Sequence, residues 1–398
     1  MFFEETKQIP PDPIFGLVEA FRKDPHTKKV NLLVGIYKDE HLKAELFPSA
    51  KRAKEAIFSQ DLSADYLPID GLEEFSDLLG ELLFSKALWS GFKDRIYAAQ
   101  APGGTGALRV LADVLHEEIG PSLYLPNHTW PNHPNVFQKS GYQVSTYPYY
   151  SPESRGFDVQ KTIHFLQTLS EKSIILLHGC CHNPTGSDPT EQEWRALSRV
   201  IQEKKLFPFF DIAYQGLGED VEKDAAAIRL FLQEGHEMAV AYSCSKNFSM
   251  YCQRVGALFV VSKEKKFKPA IASQAKKVIR SLYSNPPAHG ARIVSQILKD
   301  PPTFKLWLKD LEHVRNRIRK TRASLIDRLQ KGSKEDFLYL KNHRGMFSFI
   351  DLSPEQVDRL RLEFSVYMTR DGRLSISGLN EENLDDVANS LLTVCAKT

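Results

Sequence analysis

A lysine at the end of an apolar, strand-length run has the surroundings that most suggest chemistry. Residues 238–242 are apolar, and the run breaks into Ser243-Cys-Ser245 before Lys246. Small polar residues of this kind favour turns over strand interiors. A desolvated amine near other cations becomes nucleophilic, so Lys246 is a candidate Schiff-base lysine. A solvated lysine that opens a loop is the simpler interpretation of this stretch taken alone.

Two more polar residues follow apolar runs. Leu206-Phe-Pro-Phe-Phe210 is followed by Asp211, whose carboxylate needs a cationic partner to remain ionised there. A helix N-cap or helix-dipole role would also explain this aspartate. Residues 173–177 are followed by a turn sequence that begins at Asn183, whose side-chain amide is able to donate to a ligand oxygen.

Glycine, threonine and arginine residues supply candidate anion contacts. Gln100-Ala-Pro-Gly-Gly-Thr-Gly106 precedes an apolar helix, where backbone N–H groups and the Thr105 hydroxyl favour a phosphate. The motif lacks a P-loop ending, and the weakly apolar residues 95–100 do not predict the strand of a dinucleotide fingerprint. Arg254 is a candidate phosphate cation, and Arg373 a candidate bidentate partner of a carboxylate. Taken singly, each of these features is equally well explained by a turn or a surface salt bridge.

A cluster of histidine and cysteine residues invites a zinc interpretation. The cluster consists of His178, Cys180, Cys181 and His182. Adjacent cysteines at a strand end point in opposite directions, and the usual two-residue gap between ligands is missing. The spacing therefore argues against zinc, and we predict no metal site.

The combination is more specific than its parts. A strand-end lysine, a strand-end aspartate, a turn asparagine, a Gly-Thr helix start and two arginines are the groups needed to hold pyridoxal phosphate. That cofactor requires a lysine for covalent attachment, an anion at its pyridine nitrogen, a donor to its ring hydroxyl and a phosphate cup.

Composition limits the possible partners and compartment. The 398 residues are 42% hydrophobic and 26% charged, with a formal net charge of +2, which gives no reason to expect a nucleic acid or an anionic membrane. No apolar run approaches a membrane span, and the first residues lack a secretory signal pattern. Five scattered cysteines do not indicate a disulfide framework, so we expect a cytoplasmic protein.

The elements that must position these residues alternate between helix and strand. Between about residues 75 and 265, helical segments separate continuous apolar runs, which predicts an α/β fold with a mainly parallel sheet covered by helices on both faces. In such sheets ligands gather at the carboxyl ends of the strands. Residues 30–37 also resemble a strand. We expect a large domain at 46–312 and a smaller α+β domain formed by 1–45 and 313–398.

Nine motifs extend this pattern along nearly the whole chain. They are Asp12-Pro-Ile-Phe-Gly16, Gly35-Ile-Tyr-Lys-Asp-Glu40, Pro102-Gly-Gly-Thr-Gly-Ala-Leu-Arg109, Trp130-Pro-Asn-His133, His178-Gly-Cys-Cys-His-Asn-Pro-Thr-Gly186, Asp211-Ile-Ala-Tyr-Gln-Gly216, Ser245-Lys-Asn-Phe248, Arg254-Val-Gly256 and Tyr283-Ser-Asn-Pro-Pro-Ala-His-Gly290. With them the chain resembles the class I, fold-type I aminotransferases, most closely the aspartate/aromatic aminotransferases of bacterial type.

The resemblance implies roles for individual residues. Lys246 would hold the cofactor and move the substrate proton, Asp211 would pair with the pyridine nitrogen, and Arg373 would bind the substrate α-carboxylate. The other implied contacts are His133 behind the aspartate; Asn183 and Tyr214 at the ring hydroxyl; Trp130 on the ring face; Gly104, Thr105, Ser243, Ser245, Arg254 and a neighbouring subunit's Tyr66 at the phosphate; and Gly35 and Asn183 beside the substrate.

The resemblance further implies a homodimer with shared active sites, in which Arg280 would reach across to the side-chain carboxylate of the substrate. The implied reaction is transfer of the amino group of L-aspartate to 2-oxoglutarate, and aromatic amino acids are the alternative donors. Pro68, Cys244 and Phe15 depart from the residues that the family leads us to expect. These three residues do not change the expected type of reaction, but they affect which molecules the protein would use as amino-group acceptors.

Two other classes of protein remain as alternatives. An NAD-dependent dehydrogenase would explain the glycines but would leave Lys246, Asp211 and Asn183 unused. A non-catalytic binding protein on the same fold is disfavoured because every catalytic position that the resemblance implies carries a suitable residue.

Overall fold

The computed structural model describes residues 1–8, 13–60 and 63–396, without the side chains of Pro13 and Phe15. The Phe15 departure and the first residue of the Asp12–Gly16 motif therefore lie outside the described part. Within it, no helix combines the length and the apolar character needed to cross a bilayer.

Helices and strands alternate through the first two thirds of the chain. The helices are α1 (Pro13–Lys23), α2 (Pro48–Phe58), α3 (Glu73–Phe84), α4 (Lys86–Phe92), α5 (Gly103–Glu118), α6 (Asn132–Lys139), α7 (Val159–Gln167), α8 (Glu191–Glu203), α9 (Ala226–Gln233), α10 (Lys268–Leu282), α11 (Ala288–Lys299), α12 (Pro301–Gly332), α13 (Pro354–Phe364) and α14 (Leu384–Cys395). The strands are β1 (Val30–Asn31), β2 (Ile96–Pro102), β3 (Ser122–Pro126), β4 (Gln143–Tyr147), β5 (Tyr150–Ser151), β6 (Gly156–Phe157), β7 (Ile174–His178), β8 (Phe207–Ile212), β9 (Met238–Ser243), β10 (Val255–Val261), β11 (Phe347–Phe349), β12 (Val366–Tyr367) and β13 (Arg373–Ser375).

The main sheet has seven strands in the order β2-β10-β9-β8-β7-β3-β4. The pairs from β9 to β4 are parallel, whereas β10 runs antiparallel to both of its neighbours. The predicted fold class, a mainly parallel sheet covered by helices, is confirmed.

The central strands are apolar throughout because both faces of the sheet are covered. Leu177 and Phe210 belong to one hydrophobic cluster, whereas their neighbours Leu176 and Phe209 belong to a second cluster on the opposite face. All four side chains are buried. Alternate side chains of one strand point to opposite faces, so a strand covered on both faces must be apolar at every position.

Both ends of the chain meet in a smaller α+β region. Strand β1 pairs in parallel with β12, in the register Val30–Val366, and β11 pairs with β13. Helix α12 spans 32 residues and packs against both α2 and α14. This pairing supports the division into 46–312 and a domain of 1–45 with 313–398, which stays a proposal.

The predicted strand at residues 30–37 is wrong beyond its first two residues. Distant side chains satisfy the backbone there in place of a strand ladder. Arg373 donates to the carbonyl oxygen of Leu33 at 2.7 Å, the Ser377 hydroxyl donates to that of Ile36 at 2.8 Å, and the Tyr251 hydroxyl accepts from the Tyr37 N–H. This segment therefore forms an irregular wall rather than a sheet edge.

Residues 95–100, which we judged too weakly apolar for a strand, contribute to β2, so that expectation is also wrong. β2 pairs with β10 over seven residues at the edge of the sheet, from Ile96–Val261 to Pro102–Val255. Small residues such as Ala99 and Ala101 are fully buried beneath the helices. Their size kept the apolar signal low, although their burial is complete.

Candidate active site

A cleft of about 370 Å³ opens where the central strands end. Twelve of the residues that the sequence singled out line it: Gly35, Gly104, Thr105, Trp130, Asn183, Asp211, Tyr214, Ser243, Ser245, Lys246, Arg254 and Arg373. The sheet explains this convergence, because His178, the last residue of β7, lies in register with Asp211 near the end of β8. Strand β9, next to β8, ends at Ser243 just before the lysine.

Lys246 presents its amine to the cleft. Its Nζ atom lies 5.4 Å from the centre of the Tyr214 ring. Burial lowers the pKa of Lys246 to about 8, an effect that Asp211 opposes and that the charges of Arg254 and Arg373 reinforce. A lysine with such a pKa is partly unprotonated near neutral pH, as a nucleophile or a general base requires.

Asp211 is linked to the interior by a chain of hydrogen bonds. His133, which is fully buried, meets Asp211 Oδ2 through its Nε2 at 3.1 Å. The Nδ1 atom of the same ring meets Thr129 Oγ1 at 2.7 Å, and that hydroxyl meets His178 Nε2 at 3.1 Å. The chain ends where the backbone N–H of Asn183 donates to His178 Nδ1 at 3.3 Å.

The backbone end of this chain fixes the direction of every hydrogen bond in it. Because the Asn183 N–H can only donate, His178 Nδ1 accepts, and the His178 proton lies on Nε2 and is donated to Thr129. The Thr129 hydroxyl then donates to His133 Nδ1, and His133 donates from Nε2 to Asp211. Burial lowers the pKa of His178 to about 3, so this ring stays neutral. Asp211 is thus held as a hydrogen-bond acceptor.

The protonation state of Asp211 follows from opposing effects. Burial alone would raise the pKa of this carboxyl, but the hydrogen bond from His133 and the nearby charge of Lys246 hold its pKa below the usual value. Asp211 therefore presents a negative charge to the cleft, as an anion at a pyridine nitrogen must.

The rim beside helix α5 is shaped for a phosphate. Gly103 has a φ of +80°, and a Cβ there would lie 2.4 Å from Arg254 Nη2; a Cβ on Gly104 would lie 2.9 Å from Ser243 Cβ. Only glycine lets the backbone approach these side chains so closely. Helix α5 begins at Gly103, so its first N–H groups lie beside the Thr105 and Ser243 hydroxyls and the Arg254 guanidinium. Together they suit a phosphate-bearing cofactor.

Arg373 is a buried cation without a carboxylate partner in the described part of the chain. Only 2% of its surface is exposed, and it donates to Asn183 Oδ1 at 3.0 Å and to the Leu33 carbonyl oxygen at 2.7 Å. Its guanidinium lies 4.4 Å from the centre of the Phe347 ring. Burial lowers the pKa of Arg373. A desolvated guanidinium at the wall of a cleft favours a carboxylate ligand.

His133 lies behind Asp211 rather than in the lining, and two other predicted site residues lie outside the cleft of their own chain. Tyr66 is 92% exposed, and Arg280 is exposed near the end of α10, where it donates to Ser284. Neither side chain lines the cleft. The cleft is thus left without the two groups that the resemblance assigns to a second subunit.

Sequence reasoning assigned no role in this site to four residues. Thr129 and His178 orient His133, whereas Tyr251 and Phe347 line the cleft. His178 carried a usable signal, because it ends the strand beside Asp211. The other three had no local signal, since their roles depend on contacts between distant segments.

The two histidines of the possible zinc cluster form hydrogen bonds with threonine hydroxyls. His178 bonds to Thr129, and His182 Nδ1 lies 2.8 Å from Thr185 Oγ1. In the described ranges the only close set of three donors is Cys180, Cys181 and Asp224. Both oxygens of that aspartate already accept backbone N–H groups, from Gly216, Gly218 and Glu219.

The structure shows where two of the residues that differ from the family pattern lie. Pro68 accepts the N–H of Gly71 at 2.9 Å, which closes a turn behind the exposed Tyr66. Cys244 is completely buried, and its N–H bonds to Val255. The thiol therefore belongs to the hydrophobic core rather than to the phosphate rim.

Known proteins resemble this chain over nearly its full length. The model of the family described as aminotransferase class I and II matches residues 27–391. The aspartate aminotransferase of Escherichia coli is 40% identical over 98% of this chain and all of its own, and the mitochondrial aspartate aminotransferase of Xenopus tropicalis is 41% identical over 98% and 92%. The aromatic-amino-acid aminotransferase of Burkholderia pseudomallei, covalently bound to pyridoxal phosphate, superposes with a TM-score of 0.95 at 40% identity over 99% of both chains.

Proposed function

The chain belongs to the family of class I and II aminotransferases, and on that basis we propose that it transfers the amino group of L-aspartate to 2-oxoglutarate, giving oxaloacetate and L-glutamate. The observation that carries this proposal is the meeting of Lys246, Asp211 and Arg373 in one cleft. The aspartate specificity is supported by the names of relatives that are 40–41% identical.

The cofactor is pyridoxal phosphate, which one structural neighbour binds covalently. When bound, it supplies an aldehyde that joins an amine and an electron-poor ring that takes up the electrons of a breaking bond. Lys246 would hold it, Asp211 would keep the proton on its ring nitrogen, and Asn183 and Tyr214 would contact its hydroxyl. Trp130 would cover its ring, and Gly104, Thr105, Ser243, Ser245 and Arg254 would hold its phosphate.

The substrate would be bound and deprotonated by separate groups. Arg373 binds the α-carboxylate, assisted by Gly35 and Asn183, because it is a buried guanidinium with no carboxylate partner among the described residues. With the cofactor bound, Lys246 Nζ would take the proton from the substrate α-carbon and later give it back, acting as base and then as acid. Its pKa of about 8 suits an amine that must both accept and donate a proton near neutral pH.

The single experiment that tests the proposed substrate changes Arg280. We expect Arg280→Ala to lower kcat/KM for aspartate by about 30-fold or more, because losing one partner of a desolvated Arg–carboxylate pair costs roughly 2–5 kcal/mol. Phenylalanine, which has no distal carboxylate, loses much less. The measurement is steady-state turnover of both donors with 2-oxoglutarate.

Lys277 gives a matched control, since it is exposed on α10 one turn before Arg280. Lys277→Ala should leave both donors near wild type. An equal loss for aspartate and phenylalanine in Arg280→Ala would remove Arg280 as the selectivity residue. Aromatic amino acids would then become the better assignment.

The protein is proposed to act as a homodimer with shared sites, because Tyr66 and Arg280 lie outside the cleft of their own chain. Mixing a Lys246→Ala chain with an Arg280→Ala chain should create hybrid dimers that have one intact site. At equal amounts, random exchange leaves about one quarter of all sites intact. Aspartate turnover should rise to about that fraction.

The control mixture pairs Lys246→Ala with Asp211→Ala, whose side chains line the cleft of their own chain. Its hybrid dimers have no intact site, so its activity should stay at background. Equal behaviour of the two mixtures, once mass spectrometry has demonstrated subunit exchange, would contradict shared sites.

A reducing, cytoplasmic location is also proposed, and the five unpaired cysteines support it.

A further inference from the structure

A second cavity, of about 460 Å³, lies beside helix α12, away from the active cleft. Its lining includes five basic side chains and a single acidic one: Arg315, Arg319, Arg322, Lys341, Arg344 and Asp188. A cavity of this size accommodates a small organic ligand. Nothing in the transamination chemistry uses it.

The innermost of these cations is buried and lacks a counter-ion. Arg322 is 5% exposed, and it donates to Ser348 Oγ at 3.0 Å and to the carbonyl oxygens of Gly345 and Phe347. Among the described residues, no carboxylate pairs with it and no acceptor meets its third nitrogen, Nη1. Burial lowers the pKa of Arg322 to about 10, so it is still charged at neutral pH.

Two further arginines project from the same face of the helix. Arg315 and Arg319 precede Arg322 by seven and three residues, a spacing that places all three on one side of α12. They donate to the carbonyl oxygens of Gly216 and Gly218, so backbone dipoles rather than carboxylates hold them. Like charges four residues apart repel each other on a helix, and a bound anion would relieve this repulsion between Arg315 and Arg319.

The only acidic side chain in the lining already has backbone hydrogen-bond partners. Asp188 accepts the N–H groups of Cys181 and His182, both at 2.7 Å, and burial raises the pKa of this carboxyl. Arg344 has a partner outside the lining, because it pairs with Glu219. Arg319 and Lys341, which also line the cavity, are exposed to solvent.

We propose that this cavity is a second ligand site, which binds a small anion that carries a phosphate group. Three of its guanidinium groups belong to α12, and Lys341 and Arg344 come from the segment before β11. A tetrahedral phosphate offers oxygens to several cations that do not lie in one plane, whereas a carboxylate offers two oxygens in a single plane.

The site adjoins a residue of the active cleft. Arg322 Nη2 donates to the Phe347 carbonyl oxygen at 3.1 Å, and the ring of Phe347 lies beneath the Arg373 guanidinium. A bound anion would therefore contact Arg322, the arginine that donates to the β11 strand carrying Phe347.

The test is calorimetric titration of the cofactor-loaded enzyme with inorganic pyrophosphate, at an ionic strength kept constant with sodium chloride. We expect one pyrophosphate per chain, bound at about millimolar affinity or tighter. Arg319→Gln and Lys341→Gln should each weaken binding about tenfold, the usual effect of one lost charge-assisted hydrogen bond. Both residues are exposed, so these changes should not disturb folding.

Lys320→Gln is the matched control, because Lys320 is exposed on the same helix but does not line the cavity. It should bind pyrophosphate like wild type. Arg373→Gln separates the two sites, since binding in the second cavity should survive the loss of this cleft arginine. Absence of binding, or binding that Arg373→Gln abolishes and Arg319→Gln spares, would overturn the proposal. Equal binding of malonate in the Arg373→Gln background would overturn the preference for phosphate.

Discussion

Lys246→Ala is expected to abolish transamination in a protein that still folds and still binds pyridoxal phosphate non-covalently. Lys246 is the only lysine in the lining of the cleft within the described chain, so no second amine is placed to take the proton from the substrate α-carbon. General acid–base catalysis alone accounts for about 10²–10⁴-fold in rate, and covalent attachment of the cofactor is lost as well. Steady-state turnover of aspartate with 2-oxoglutarate measures the loss.

Lys38→Ala serves as the control for this experiment. Burial also lowers the pKa of Lys38, but its side chain does not line the cleft. Its removal should leave turnover near the wild-type rate. Substantial turnover by purified Lys246→Ala, free of host enzyme, would show that another group performs the proton transfer.

The same substitution should change stability in a direction that depends on pH. The pKa of Lys246 is about 8 in the folded cofactor-free protein and near 10.5 in the unfolded chain. Below pH 8 the lysine is charged in both states, so the whole free-energy cost of burying its charge lowers the stability of the fold. Between about pH 8 and 10.5 the unfolded chain binds more protons, and this penalty disappears as the pH rises. Cofactor-free Lys246→Ala should therefore have a larger free energy of unfolding than wild type at pH 7. Chemical denaturation at several pH values should show that this difference disappears near pH 10.5.

The sequence predicted the cleft well where chemistry depends on strand ends. Lys246, Asp211 and Asn183 each follow an apolar run, and the carboxyl ends of parallel strands meet at one edge of a sheet. Burial on both faces makes such runs easy to detect. The polar residues that follow these runs can therefore be predicted to lie close together, although the sequence does not give the distances between them.

What the sequence could not predict depends on contacts between remote segments. The loop after Val30 resembled a strand because its residues are apolar, yet Arg373, 340 residues after Leu33, takes its hydrogen bond. Thr129 and His178 are 49 residues apart, and no local pattern indicates that one hydroxyl joins two histidines. Tyr66 and Arg280 lie outside the cleft of their own chain, and the role proposed for each depends on a second chain.

Asp211→Ala should lower turnover by about 10³-fold, a loss like that of other preorganised electrostatic groups. In the proposed mechanism Asp211 would hold the proton on the ring nitrogen of the cofactor, and His133 donates to the carboxylate. Without the negative charge that proton is lost, and the ring takes up electrons poorly. The measurement is kcat for aspartate in cofactor-saturated protein.

Asp211→Asn separates the charge from the hydrogen bond, because an amide oxygen can still accept from His133 Nε2 while the negative charge is gone. We expect Asp211→Asn to be nearly as inactive as Asp211→Ala but more stable, since burying an unpaired histidine N–H costs about 1–3 kcal/mol. Asp188→Asn, at another half-buried aspartate outside the cleft, should retain most of its turnover per folded molecule. Turnover of Asp211→Asn within about tenfold of wild type, or ~1.4 kcal/mol in the barrier, would show that the aspartate positions His133 and has no electrostatic role in catalysis.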